Sequence, residues 1–228
     1  MIKGYAAQRQ QILKLYSSSS SAIGSISWNT GATTSVYQVK PLSRGTIKIN
    51  STSIFDNPLV NFGALTDPTD IELVLALIRK NRQIMAQPSL QALGPHELTP
   101  GASLTTDAQL KAAIRAQINP SIAHECCTLP QLPLDHGGVV DSNRLVHGLK
   151  GLRVADVSAW PFSPGSAPSA TVYAAGEKVS LLVSSGGKKS HLTDMLNSWR
   201  TLSNYRTAFP SRHSRRMNRK SPQIAKVL

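Results

Sequence analysis

The stretch RLVHGLKGLRVADVSAWP, residues 144–161, constrains the fold more than any other part of the chain. Leu152, Val154 and Ala155 read as a short strand ending at Asp156, followed by a Pro/Gly/Ser turn over 161–169. From Ala170 the sequence ATVYAAGEKVSLLV reads as a helix with Val172, Val179 and Leu182 on its inner side. Strand, turn and helix in this order is how open α/β sheets present ligands, at the carboxyl ends of strands and beside helix N-termini. Parallel strands of that kind are normally covered on both faces. Only Val139–Asp141 and Leu145–Val146 offer further short strands nearby, and neither supplies a parallel neighbour. The 152–156 strand therefore expects a sheet encoded elsewhere. Asp156 taken alone also fits a turn or N-cap aspartate. Gly176 inside the final helix costs about 1 kcal/mol relative to alanine, which anticipates a close neighbour there.

The upstream half reads as helices with short strands. Residues 5–16 suggest an amphipathic helix, and the serine run 17–21 a loop. In YQVKPLSRGTIKIN (37–50), Ile47 and Ile49 alternate with Lys48 and Asn50, as in a half-buried strand; the apolar stretch PLVNF follows Asn57. The clearest helix lies within 67–88, with Ile71, Val74, Leu75, Ile78 and Met85 at helical spacing, a capping box from Thr69 to Glu72 and a stop at Pro88. A second runs from about Thr106 to Asn119, capped by Thr106 with Gln109 and ended by Pro120. Neither helix carries evident chemistry.

Charge is concentrated at one end. Residues 186–228 hold ten lysines and arginines against the single acid Asp194, so nine of the thirteen net positive charges lie there. Any steering of an acidic partner belongs to that tail, where a short helix near 191–203 precedes sequence of disordered character. Trp199, Tyr205 and Phe209 are interleaved with its charges, but no known nucleic-acid module is present. Cys126 and Cys127 are adjacent and read as unbridged thiols, because bridging neighbours strains the intervening peptide. They make no zinc site, and His96, His136, His147, His191 and His213 have no metal-ligand spacing. MIKGYAAQRQQILKLY lacks the apolar core of a signal peptide, no run approaches a membrane span, and localisation stays open. Asn50-Ser51-Thr52 is a glycosylation sequon that would matter only in a secreted parent chain.

His124, in NPSIAHECCT, sits in a loop after the proline-terminated second helix. A loop histidine is an ordinary surface residue or a general base, since imidazole near neutral pKa can accept an alcohol proton. Four stretches together are more specific: KPLSRGTIKINS, NPSIAHECCT, HGGVVDSNRLVHGLKGLRVADVSAWP and SATVYAAGEKVS. In this order they resemble the C-terminal part of the glucose–methanol–choline (GMC) oxidoreductases, particularly the fungal branch, from about Tyr5 to Val183. The resemblance implies a FAD enzyme acting on the CH–OH group of a small-molecule alcohol by hydride transfer to the flavin. It implies His124 as the base, backbone at Asp156 and Val157 facing the phosphate and ribityl region, and Ser169 beside the flavin ring. A second histidine or asparagine of the family falls at Ala167, which is otherwise one of the cofactor-lining positions and offers neither donor nor acceptor.

The fold implied is α+β: an antiparallel-sheet substrate domain with flanking helices, plus the C-terminal strand–helix segment of an FAD-binding α/β domain. Its divisions are an N-terminal helix and linker (1–38), the substrate-binding part (39–122), the return segment of the FAD domain (123–184) and the basic tail (185–228). The family's G-x-G-x-x-G turn for the FAD pyrophosphate is not among the 228 residues. The N-terminal Rossmann part is therefore read as missing and the chain as an inactive fragment, unless a separately encoded half completes it. The rival reading is a non-catalytic interaction protein whose basic tail binds nucleic acid or an acidic surface.

Overall fold

A computed structural model describes residues 2–28 and 33–184. Met1–Ser180 form one unit; a second begins at Leu181, of which only the last turn of the final helix, to Ser184, is described. The basic tail, with the helix expected near 191–203, lies outside the described residues. The elements are α1 (Ile2–Tyr16), β1 (Gly24–Trp28), β2 (Thr34–Gln38), β3 (Thr46–Lys48), β4 (Leu59–Asn61), α2 (Pro68–Met85), α3 (Pro88–Gln91), α4 (Asp107–Gln117) and α5 (Ser169–Ser184). Two single turns of 3₁₀ helix, Leu134–His136 and Val157–Ala159, lie between α4 and α5. The architecture is mixed helix and sheet, with two small antiparallel hairpins.

Helix α2 organises the core. Its apolar spacing turns Ile71, Leu75 and Ile78 inward against Leu110 and Ile114 of α4, with Val36, Leu65, Val74, Leu104 and Ile118 packed around them. Full burial of each such side chain contributes roughly 1.5–3 kcal/mol. The N-cap of α2 is Asp67, whose carboxylate accepts from Thr69 N at 2.9 Å, with Pro68 opening the helix. This corrects the Thr69–Glu72 capping box: proline fits the first helical position because its missing N–H needs no partner there, which moves the start two residues upstream. Helix α2 ends at Met85 with Ala86 as its C-cap, just ahead of Pro88 as expected, and Pro88 opens the short α3. Helix α4 matches expectation, with Thr106 and Gln109 closing a reciprocal capping box.

Strands β1 and β2 pair antiparallel from Gly24↔Gln38 to Trp28↔Thr34 and pack on α2. Sequence pattern did not reveal this hairpin, because only Ile26 and Val36 mark its middle among serines and threonines. Strands β3 and β4 pair through Thr46↔Asn61, Ile47↔Val60 and Lys48↔Leu59. Every residue of both is exposed, so the half-buried face expected for Ile47 and Ile49 is not formed within this chain.

Asp70, in the first turn of α2, is 1 % exposed. Its carboxylate accepts from Leu42 N (2.9 Å), Ser43 N (2.7 Å) and the Gln38 side-chain amide (2.6 Å). Three donors offset the desolvation of that charge and fasten the chain after β2 onto the helix start. Tyr16 Oη of α1 donates to the Lys40 carbonyl at 2.6 Å. At the other end of α1, a methyl group on Gly4 would collide with the His136 carbonyl; glycine allows α1 to lie against the Leu134–His136 turn.

Candidate functional site

The site begins where α4 stops. Ile118 leaves the helix in extended conformation, and Asn119–Pro120 starts a loop built from local side-chain bonds. Ser121 N donates to Asn119 Oδ1 (3.2 Å), Ala123 N donates to Ser121 Oγ (3.0 Å), and the Ser121 hydroxyl donates to Glu125. These bonds hold Ala123 at φ 60°, a conformation rare for a residue with a side chain, and turn His124 out to solvent. The hydrogen bond from the Ser121 hydroxyl, with a further one from backbone, keeps the Glu125 carboxyl below its usual range.

Cys126 and Cys127 are joined by a disulfide, which corrects the expectation of two thiols. The left-handed backbone of Cys127, φ 75°, gives the adjacent side chains a geometry that ordinary extended or helical backbone does not. From there the chain runs beside the 157–159 turn: Cys127 N donates to Val157 O (3.1 Å), Leu129 N to Ser158 O (2.8 Å) and Gln131 N to Ala159 O (2.9 Å). The histidine loop is thus tied by backbone to the segment after Asp156. These are the two stretches that the sequence reading assigned to one site.

The three short strands expected over 139–156 do not form ladders. Isolated bridges occur instead, Gln131↔Val140 parallel, Val140↔Val146 and Leu145↔Arg153 antiparallel. Turns interrupt them every few residues, with Arg144, Gly148 and Gly151 all at positive φ, and Asp141 accepts from Asn143 N and Leu145 N to close the first turn. The 152–156 segment is therefore bridged on one side only, to its own hairpin. Leu149 and Leu152 stay exposed, as do Ile122, Leu134, Val172 and Tyr173. Nη1 of Arg144 and Nε2 of His147 are buried without a hydrogen-bond partner among the described residues.

Asp156 caps the 3₁₀ turn, accepting from Ser158 N at 2.8 Å and from the Ser158 hydroxyl. Its carboxylate has a structural task in this chain. Val157 is half-buried, and Ala159 and Trp160 behind it are buried. The turn before α5 is held from far away in sequence: Lys40, 6 % exposed, donates from Nζ to Ser163 O at 2.9 Å and lies 5.3 Å from the Phe162 ring centre. The Ser163 hydroxyl returns a bond to Val39 O. Burial pushes the Lys40 ammonium below its ordinary pKa. Sequence reasoning missed Lys40, since nothing local marks a lysine whose partner is 123 residues away.

Ala167 and Ser169 follow this clamp, both exposed, with α5 started by Val172 N donating to Pro168 O at 2.8 Å. No hydrogen bond among the described residues joins either to His124 or Asp156. Gly176 has open space around it, and a methyl group there would meet nothing within 4 Å, contrary to the close neighbour expected. Val172 is exposed and Val179 buried, so α5 uses only part of its predicted inner face. Among the described residues no cluster of three or more His, Cys, Asp or Glu could hold a metal, and no helix is long and apolar enough to cross a membrane.

A segment bridged on one side, carrying a histidine loop, an aspartate-capped turn and an exposed helix start, has known counterparts. Residues 41–176 match the GMC oxidoreductase family through the model of its C-terminal domain. The chain belongs to the GMC oxidoreductases. This GMC chain is 41% identical over 183 residues to the dehydrogenase xptC of Emericella nidulans, covering 80% of itself and 29% of that protein. It is 37% identical over 147 residues to the patulin synthase of Penicillium expansum, covering 63% of itself and 23% of that protein. Among solved structures it resembles a FAD-dependent oxidoreductase from Chaetomium thermophilum, with 46% identity, TM-score 0.77, and coverage of 81% of this chain and 32% of that one. A fungal aryl-alcohol oxidase follows at 35% identity and TM-score 0.72, covering 78% of this chain and 30% of that one. The GMC chain thus spans about a third or less of the length of these relatives. The residues singled out from the sequence are an exposed histidine, a backbone turn and an uncharged helix start. The glycine-rich turn that would cradle a diphosphate is not among them.

Proposed function

We propose that these 228 residues supply the C-terminal third of a FAD-dependent oxidase or dehydrogenase of alcohols, and that alone they bind no FAD and turn over no substrate. The observation that carries this reading is the 139–156 region. Its short strands are bridged to one another and to Gln131 and form no ladder, Leu149 and Leu152 face solvent, and the chain covers only 32% of its Chaetomium relative. FAD bound to a complete fold would supply the hydride acceptor for the alcohol carbon. His124 is positioned as the group that takes the hydroxyl proton, on a loop fixed by Ser121, Ala123 and the Cys127–Val157 bond. The backbone of Asp156 and Val157 forms the cofactor-facing turn, and Ser169 opens the helix beside it. Ala167 leaves the alcohol oxygen one polar partner short. By analogy with removal of a single oxyanion-stabilising donor, that absence costs about 10²–10³ in rate.

The purified chain is expected to be colourless and to show no flavin absorbance after incubation with FAD. The same residues fused behind the nucleotide-binding part of the Chaetomium relative are expected to yield yellow protein. In that fusion His124→Ala removes alcohol-dependent dye reduction while FAD stays bound, and Ala167→His raises turnover. Stoichiometric FAD on the unfused chain overturns the reading. The basic tail offers a second, separate activity only through its charge; a steep fall of DNA binding with salt would reveal phosphate contacts.

A further inference from the structure

We propose that Asn50 is a site of N-linked glycosylation. Of the ten asparagines in the chain, only Asn50 lies in a valid sequon, Asn50-Ser51-Thr52; Asn119-Pro120-Ser121 is blocked by its proline. The sequon falls in the exposed loop between β3 and β4, immediately after the last paired residue Lys48 and its neighbour Ile49.

The hydrogen bonding of this loop separates the sequon's functional groups from its scaffold. The Ser51 hydroxyl donates to Asp56 at 2.5 Å and accepts from Ser53 N at 2.9 Å, while Ser53 Oγ accepts from Phe55 N at 3.2 Å. These bonds fold the loop back on itself. The Asn50 amide and the Thr52 hydroxyl take no part in it and have no hydrogen-bond partner among the described residues. They are the two groups a glycosyl transfer requires: the nitrogen that becomes glycosylated and the hydroxyl by which the acceptor is recognised. An open pocket of about 480 Å³ adjoins them, lined in part by Ile49, Ile54 and Pro58. Ile54 is 91% and Phe55 90% exposed, an apolar rim that the carbon face of a first sugar would cover.

N-glycosylation takes place in the lumen of the secretory route, so the modification belongs to this chain, or to a longer chain that contains it, when it enters that route. In the transfer, Asn50 Nδ2 bonds to C1 of the sugar of a polyprenyl-diphosphate oligosaccharide. The C1–O bond to the diphosphate breaks, the lipid diphosphate leaves with the bonding electrons, and the amide proton passes to a base of the transferase. No electrons are gained or lost overall. The inference does not depend on flavin binding.

The test expresses the whole 228-residue chain behind a cleavable secretion signal in yeast and maps Asn50 occupancy by peptide mass, in secreted protein and in protein retained within the lumen. Treatment with a glycan-releasing amidase is expected to collapse a slower-migrating species and to convert Asn50 to aspartate. Asn50→Gln and Thr52→Ala abolish the shift, whereas Thr52→Ser retains it. Because Thr52→Ser and Thr52→Ala are both small changes at an exposed residue, their contrast reports acceptor recognition and not folding. Unmodified Asn50 in the lumenal chain, or a shift that survives Thr52→Ala, overturns the proposal.

Discussion

Helices α2 and α4 meet through five buried aliphatic side chains, whereas the stretch from Asn119 to Ser169 is held by backbone bonds between short segments and leaves Ile122, Leu149 and Leu152 at the surface. The first region spends its apolar residues internally and can hold its shape from its own contacts. The second has satisfied most of its polar backbone but buries little beyond Val140, Ala159 and Trp160. Site residues sit almost entirely in the second region. The proposed function accounts for this asymmetry, since surface meant for a cofactor and a neighbouring sheet could not also be consumed by the chain's own core.

Substitutions test the contrast. Leu110→Ala, at a fully buried position of α4, is expected to cost about 2–5 kcal/mol, measured by urea unfolding of the helical circular dichroism. Asp70→Ala strands three donors and should cost about 3 kcal/mol by the same assay, more than Asp70→Asn, which keeps an acceptor. An effect below about 1 kcal/mol for both would break the claim that α2 and α4 form the stable region. Glu97→Gln is expected to cost about 1–2 kcal/mol at neutral pH, because the Arg82 guanidinium donates twice to Glu97 at 2.7 Å and holds its carboxyl below the ordinary value of 4.5. With the folded pKa depressed, this contribution is complete above the unfolded value and lost as pH falls through the folded one. Wild type and variant should therefore converge in acid.

The remaining predictions concern the second region. Lys40→Met keeps the aliphatic stem but loses the bond to Ser163, and faster hydrogen exchange over residues 162–169 is expected while α2 and α4 remain protected. If both exchange faster together, the two regions are one cooperative unit. His124→Ala, on an exposed loop side chain, should change stability by less than about 0.5 kcal/mol; its consequence belongs to chemistry in the completed fold.

What could be read from sequence was local. The Thr106–Gln109 box of α4 declares itself in four residues, and the 3.6-residue spacing of Ile71, Leu75 and Ile78 marks the core. Features that join distant residues carried no such mark: the Lys40–Ser163 clamp, the three donors on Asp70, and the Cys126–Cys127 bond that depends on one left-handed residue. Pro68 shifted a helix start because its constraint on φ overrode the more familiar Thr–Glu signal. The 152–156 strand was misread in detail, since turns at Arg144, Gly148 and Gly151 cut its hairpin into bridges. His124 came from family resemblance, as nothing in its own neighbourhood distinguishes it from a surface histidine.

The bond between Lys40 and Ser163 also sets an order on synthesis. While the ribosome is still making the second half, the residues of α2 and α4 are already available to one another, and their contacts span far less chain than that bond. The lysine must wait, unpaired and hydrated, until Ser163 emerges. The bond that holds the turn before α5 can thus form only after the residues of α2 and α4 have been made.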